Sequence, residues 1–262
     1  MKKIQSSILY ASLPWILPVT LLICWQIFST YEIISSRFFP PPTAIITTGI
    51  SLLQSGELYY HMMISTYRAL LGLLIGGGIG FLLGLINGLF PLTGRLFDST
   101  IQMIRNIPHL ALIPIVIIWF GIDETAKIFL VSLGVLFPIY VNTYHGIRTV
   151  DKGYIEMGKV YGLNPMELFT RIILPGALPS IFVGLRYSLG LMWLTLIVAE
   201  TIASDSGIGY MAMNAREFMR TDVIILSIII YALLGKLADV IAKVIEAKTL
   251  KWHPSYMKIP KK

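Results

Sequence analysis

Residues 69–94 read ALLGLLIGGGIGFLLGLINGLFPLTG, 26 positions from Ala69 to Gly94 without one charged side chain. At about 1.5 Å per residue, such a run can cross the roughly 30 Å hydrocarbon layer as a helix. Gly72, Gly76, Gly80, Gly84 and Gly88 recur every four residues within it. On a helix that spacing makes one stripe without side chains, against which a neighbouring backbone can lie closely. The stripe reads as a packing device. Gly77 and Gly78 loosen the middle of the run, and Asn87-Gly88 before Pro91 mark a fraying end.

Outward from this run, other uncharged stretches follow. They are Ile4 to Tyr31 (28 residues), Asn106 to Ile122 (17), Ile128 to Ile147 (20), and Tyr187 to Ala199 and Val223 to Gly235 (13 each). Counting the two short ones as spans, with Arg186, Glu200 and Lys236 snorkelling near their ends, predicts about six transmembrane helices. Composition agrees: the 262 residues are 55% hydrophobic and 13% charged, against about a quarter charged in soluble domains. Disorder is excluded by the apolar content, and an internal disulfide by the single Cys24. The expected fold is all-α, a polytopic membrane bundle with no room for a separate soluble enzyme domain. Lys2 and Lys3 before an apolar stretch imitate a signal peptide, and Leu21-Leu22-Ile23-Cys24 a lipoprotein box. Bulky Leu22 and Ile23 and the missing small-residue cleavage site favour a retained first span.

Basic residues set the expected orientation. With the N-terminus in the cytoplasm, Lys2, Lys3, Arg95, Arg148, Lys152, Lys159, Arg171, Lys248, Lys251, Lys258, Lys261 and Lys262 fall inside, and Arg37, Arg68, Lys127, Arg216 and Arg220 outside. Twelve against five predicts a multi-pass cell-membrane protein with both termini cytoplasmic. The net charge of +7 then reflects topology and a tail attracted to anionic lipid, with no nucleic-acid partner required.

Pro108, Pro114 and Pro138 interrupt the third and fourth spans, freeing carbonyls that are tolerated beside a protein-lined path but not against lipid. Arg105, Asn106 and His109 surround Pro108 and form the candidate translocation path for a passing anion, against a plainer reading of interfacial anchoring and packing. Gly153 to Val160 imitates a nucleotide loop, G-x-x-x-x-G-K, but Val160 replaces the magnesium-binding hydroxyl, so no ATP site is expected here. The four histidines form no local metal motif, Cys24 has no adjacent base, and there is no nucleophile elbow. An intramembrane enzyme is therefore disfavoured. A secondary transporter would also use broken helices, but no inverted repeat is apparent.

The segment Thr149 to Pro179 is the longest polar insertion on the inner side. Tyr154, Met157, Val160, Tyr161, Leu163, Met166, Leu168 and Phe169 have amphipathic helical spacing, broken at Gly162 and Asn164-Pro165. A helix–turn–helix with apolar surface outside the bilayer requires a partner or a fold-back. Here the residues resemble the cytoplasmic motif of binding-protein-dependent ABC importer permeases: E-A-A, three residues, G, nine residues, I, one residue, L-P. Glu156-Met157-Gly158, Gly162, Ile172, Leu174 and Pro175 reproduce that spacing, with Met157 and Gly158 in place of the alanine pair. The resemblance runs from Pro14-Trp15 to Trp252-His253-Pro254. The stretches 105–114, 119–124, 191–201 and 214–218 look most like the aliphatic sulfonate permeases, with taurine and nitrate permeases as near relatives.

The resemblance implies a single permease domain over 1–262 with a type I ABC importer bundle. Residues 1–60 would hold the first span and an extracytoplasmic segment. The core helices would occupy 61–246, with a cytoplasmic coupling loop at 149–179, and 247–262 would be a basic tail. It implies two ATP-binding subunits carrying ATP and magnesium, an extracytoplasmic substrate-binding protein, and a second copy of the chain. No cofactor would bind this chain and it would not itself be an enzyme. Glu156, Gly158, Gly162, Leu163, Met166, Phe169, Ile172, Leu174 and Pro175 would form the ATPase-coupling loop, with Leu163, Met166 and Phe169 as its apolar anchors.

Overall fold

The computed structural model describes residues 2–202 and 204–253. Residues 1, 203 and 254–262, including Lys258, Lys261 and Lys262, lie outside the described residues, as do the side chains of 2–12 and Trp15. Helices α1 (Lys2–Thr30) and α2 (Pro42–Gln54) precede the long α3 (Glu57–Leu89). Then come α4 (Pro91–Arg105), a 3-10 turn (His109–Leu112), α5 (Ile113–Phe120) and α6 (Glu124–Arg148). Two short helices, α7 (Lys152–Val160) and α8 (Pro165–Leu168), lead through a π-helical turn (Phe169–Ile173) into α9 (Leu174–Ile202). Helices α10 (Ile208–Glu217) and α11 (Thr221–Thr249) complete the chain.

Among the described residues four stretches are long and apolar enough to cross a membrane: Glu57–Leu89, Glu124–Arg148, Pro165–Ile202 and Thr221–Thr249. The expected third span, Asn106 to Ile122, is not a straight helix. Helix α4 and the segment His109–Phe120 meet at 76°, so together they form one broken span or a re-entrant loop. The cause is local. Pro108 is extended (φ −62°, ψ 107°) and has no N–H to continue the ladder of α4. The chain therefore leaves α4, turns, and resumes as the 3-10 turn and α5.

Helices α3 and α6 run parallel with their backbones in contact. Gly72, Gly76, Gly80, Gly84 and Gly88 are all buried. A Cβ on Gly76 or Gly80 would strike the backbone carbonyls of Ser132 and Leu136. On Gly84 it would lie 2.7 Å from Thr143 Cβ, and on Gly88 2.9 Å from Ile147 Cβ. The four-residue period thus follows one face of α6 along five successive turns. Helix α9 returns antiparallel on another face of α6, with Ser188 Oγ donating to the Val135 carbonyl at 3.2 Å and Ser180 Oγ to that of Asn142 at 2.8 Å. Helix α11 packs beside α9, where Trp193 meets the Tyr231 ring edge-on. Arg186 does not snorkel: its guanidinium pairs with Asp239 and Glu246 of α11.

The glycine stripe yields a contrast within one helix. Gly80→Val should destabilise the detergent-solubilised protein by about 1–3 kcal/mol or more, through overpacking against an immovable backbone. Gly78→Ala, where a Cβ meets nothing within 4 Å, should leave the thermal midpoint unchanged or slightly raised. Equal midpoints for the two variants would contradict this account of the α3–α6 contact.

Candidate functional site

Three sites stand out: a buried ion cluster at one end of the bundle, a loop at the other, and a polar cavity between them. The ion cluster centres on Arg68 of α3, whose side chain is 0% exposed. Its Nε donates to Glu124 Oε2 at 2.6 Å, and one Nη2 hydrogen reaches Glu124 Oε1. Nη1 donates to Glu200 Oε1 and to the Ser206 carbonyl, both at 2.7 Å, and Nη2 also reaches Ser206 Oγ at 2.9 Å. All five guanidinium donors are used. Glu200, equally buried, also accepts from Ser65 Oγ (2.8 Å), the Gly209 N–H (2.9 Å) and the Tyr231 hydroxyl (2.7 Å). Lys127 Nζ lies 3.4 Å from Glu124, so two cations meet two carboxylates.

The loop entering α10 is tied to the same cluster. The N–H groups of Gly207 and Ile208 donate to His61 Nδ1 and Ser65 Oγ, at 3.0 and 2.9 Å. Gly207 has φ +106°, and a Cβ there would strike the Glu200 carboxylate. Arg68 and Lys127, assigned from the sequence to the extracytoplasmic side, are enclosed by protein, and so is Glu200, expected to snorkel. Their seclusion had no local signature: Arg68 and Glu200 are 132 positions apart. A charged residue flanking an apolar run was the only hint.

At the opposite end the chain turns sharply between α7 and α8. Gly162 has φ +76°. The Leu163 N–H bonds to the Gly158 carbonyl and that of Gly162 to the Lys159 carbonyl, both at 3.0 Å, which is a Schellman ending. Asn164 then caps α8 in a reciprocal box with Glu167, followed by Pro165 at the first helical position. Gly158 is buried so tightly that a Cβ would lie 2.6 Å from Ile172 Cδ1 and 2.8 Å from Leu168 Cδ1. Leu163 faces the same small core. Phe169, Ile172, Leu174 and Pro175 are half-buried, and Glu156 is exposed. Of the three expected anchors only Met166 stands out, at 69% exposure. Val160 (86%), Tyr161 (79%) and Met157 (47%) present the larger apolar surface. The amphipathic spacing located the helices but not which apolar side chains close the turn.

The second arm of this loop is continuous with α9, so that 165–202 is one helical stretch of 38 residues. Pro175 lacks the N–H that would bond the Arg171 carbonyl, and its ring crowds that carbonyl; the π-helical turn at Phe169–Ile173 accommodates both.

The third site is a cavity of about 320 Å3 lined by Arg105, His109, Pro138, Asn142 and Tyr187, among others. His109 Nε2 lies 2.9 Å from Thr195 Oγ1, and a Cβ on Gly134 would fall 2.8 Å from that same oxygen. Arg105 and His109 share this cavity. Asn106 instead lines a neighbouring one of about 550 Å3, with Arg95, Asp98, Gln102 and Arg148.

Apolar helices with a sharply bent pair, a cavity bearing Arg105 and His109 in a partly apolar wall, and a structured polar loop suit a membrane permease. Residues 76–251 match the family described as "Binding-protein-dependent transport system inner membrane component", and the chain belongs to that family. It is 60% identical to the aliphatic sulfonates transport permease protein SsuC of Escherichia coli (strain K12), over 93% of this chain and 92% of that protein. It is 44% identical to SsuC of Bacillus subtilis (strain 168), over 92% and 87%. Identity to the taurine transport system permease protein TauC of E. coli (strain K12) is 33%, over 89% and 86%. The fold is shared with the crystal structure of an amino acid ABC transporter (TM-score 0.60, 17% identity, 78% of this chain and 96% of that one). The protein is thus a multi-pass translocation component and not a catalytic subunit. Membership implies ATP-binding and substrate-binding partners and pairing of permease subunits.

Removing one side of the ion cluster leaves a charge enclosed without its partner. Glu200→Ala should lower stability by about 3–5 kcal/mol, seen as a large drop in the melting midpoint in detergent. Lys243→Ala, removing an exposed pair with Asp239, should change it by less than about 1 kcal/mol. A Glu200→Ala protein that melts with the Lys243→Ala protein would refute the assignment.

Proposed function

We propose that this chain is the membrane-spanning subunit of an ATP-driven importer of aliphatic sulfonates, working as a homodimer with both termini in the cytoplasm. Two cytoplasmic ATPase subunits carry ATP and magnesium, and an extracytoplasmic protein delivers the substrate. The substrate assignment rests on the 60% and 44% identities to SsuC proteins, against 33% to TauC. Orientation rests on the basic residues at the loop end of the bundle.

The observation that carries the coupling role is the loop itself. An apolar tip of Met157, Val160, Tyr161 and Met166 is exposed on a short helix–turn–helix whose second arm runs unbroken into α9. Such a surface outside a bilayer is suited to a groove on another protein. ATP-driven closure of the ATPase pair moves the two loops together, and each α9 carries that motion into the bundle, shifting the population of inward- and outward-facing states. Arg105, Asn106 and His109 meet the anion on its way through.

Gly162 separates backbone from bulk. A Cβ there meets nothing within 4 Å, so the positive φ is the only constraint. Gly162→Val should abolish alkanesulfonate uptake and weaken ATPase retention on membranes, while Gly162→Asn, which tolerates that conformation, should keep most of both. Met166→Glu should release the ATPase with the turn intact. Uptake into vesicles should stop when ATP is removed and survive collapse of the ion gradient; the reverse would indicate a secondary transporter.

A further inference from the structure

Helix α4 and its C-cap carry Arg95, Asp98, Gln102 and Asn106 at positions three to four apart, hence on one face, and that face lines the 550 Å3 cavity. Arg105, adjacent to Asn106, lines the 320 Å3 cavity. Consecutive residues at the C-terminal end of α4 thus line the two cavities. Their depths differ. Gly134 to Asn142 and Tyr187 to Leu191, the walls around Arg105, lie midway along α6 and α9. Arg95 and Arg148 lie at the end where α3 passes into α4 and α6 ends. Ten helical residues separate Arg95 from Arg105, about 15 Å, half the hydrocarbon thickness.

The cations of this lane are not neutralised as Arg68 is. Among the described residues, Arg105 and Arg95 have no hydrogen-bond or ion-pair partner, and Arg148 has only the Tyr144 ring, 6.0 Å from its Cζ. Asp98, the one carboxylate on the lane, accepts from the Tyr140 hydroxyl (2.9 Å) and the Gln102 amide (3.2 Å). An unpartnered guanidinium at mid-depth is costly against lipid, so it faces water or a ligand. Beside it, Phe137, Val141 and Leu191 supply apolar wall. A cation next to an apolar wall fits an organic monoanion, charged head on Arg105 and carbon chain on the wall, better than a small hydrated inorganic anion.

We propose that the polar face of α4 is a two-station lane for the transported alkanesulfonate. Arg105 with His109 takes the head group at mid-depth, and Arg95 with Arg148 receives it next at the loop end. His109 is held in place by Thr195. Asp98 reduces the second station to a net single positive charge, which favours release over retention. This inference rests on the importer reading and adds the inner route and the amphiphilic character of the ligand.

Cys24 is the only cysteine, so a Cys24→Ser chain is a clean background. Single cysteines at Gln102 and Arg105, with Leu74→Cys as an α3 control, are assembled with the ATPase and binding protein in proteoliposomes. They are then treated with 2-sulfonatoethyl methanethiosulfonate or its trimethylammonium counterpart. The anionic reagent should label positions 102 and 105 but not 74. It should label position 102, where both stations keep their arginines, faster than the cationic one, and hexanesulfonate should slow it. In the unmodified background, Arg105→Gln should lower hexanesulfonate uptake about tenfold, about 1.4 kcal/mol, while binding-protein-stimulated ATP hydrolysis persists. Arg95→Gln/Arg148→Gln should likewise reduce uptake per ATP hydrolysed.

Absent labelling, labelling insensitive to hexanesulfonate, or normal uptake by Arg105→Gln overturns the proposal. So does protection by added anionic phospholipid but not by the sulfonate, which would assign the lane to a lipid headgroup. Failure of the parent complex to couple ATP hydrolysis to uptake would instead refute the importer reading.

Discussion

A guanidinium removed from water must find a partner for each of its five hydrogens, and Arg68 finds them on three separate segments of the chain. Much of the bundle follows from meeting that requirement. Glu124 lies in the first turn of α6, Glu200 near the end of α9, and Ser206 in the loop before α10, so these elements must converge on α3 at one level. Tyr231 adds α11 through its bond to Glu200. The desolvation of two buried ions is offset only by such complete bonding, and a buried pair of this kind adds specificity more than stability. Any register slip of α9 against α3 would leave a carboxylate or a guanidinium enclosed without a partner.

The rest of the bundle is arranged around that level with little electrostatic help. The glycine stripe lets α3 and α6 lie backbone to backbone, which requires no hydrophobic drive between helices and uses dispersion contacts that lipid cannot match. These two helices form a stiff unit against which α9 packs antiparallel. The helical stretch 165–202 that contains α9 starts at the α7–α8 turn and ends at the ion cluster. In the proposed coupling role, a displacement applied at the turn would be delivered along this one helical stretch, past the π-helical turn before Pro175 and the internal Pro179.

What the sequence revealed, and what it concealed, divides by the range of the interaction. Features encoded within one turn or one helix were readable: the four-residue glycine period, the amphipathic α7 and α8, the breaks at Gly162 and Asn164-Pro165, and the spacing from Glu156 to Pro175. The prolines near residue 108 were visible as interruptions. How far the chain would turn there was not, because a bend angle depends on what the two halves pack against. The enclosure of Arg68, Lys127 and Glu200 was hidden for the same reason. Arg68 beside an apolar run shows only a charge at its edge until Glu200, far away in the chain, is brought beside it. The apolar side chains of the loop were counted correctly, but their division into an inner core around Gly158 and an outer tip needed the three-dimensional turn.

Arg68 and Arg105 sharpen this point, since they are the same side chain next to apolar helices in one bundle. Arg68 is enclosed, bonded through every donor and shared among several elements; exchanging its partners for water would loosen the structure. Arg105 stands at a helix end beside a proline, opens into a cavity and is bonded to none of the described residues. A fold does not gain from an unpaired cation at mid-depth, and nothing in the packing of α4 requires one there. On the proposed lane, a passing anion supplies the counter-charge for part of its route and then leaves. Saturation of the guanidinium, more than its burial, distinguishes the arginine that joins the helices from the one proposed to meet the anion.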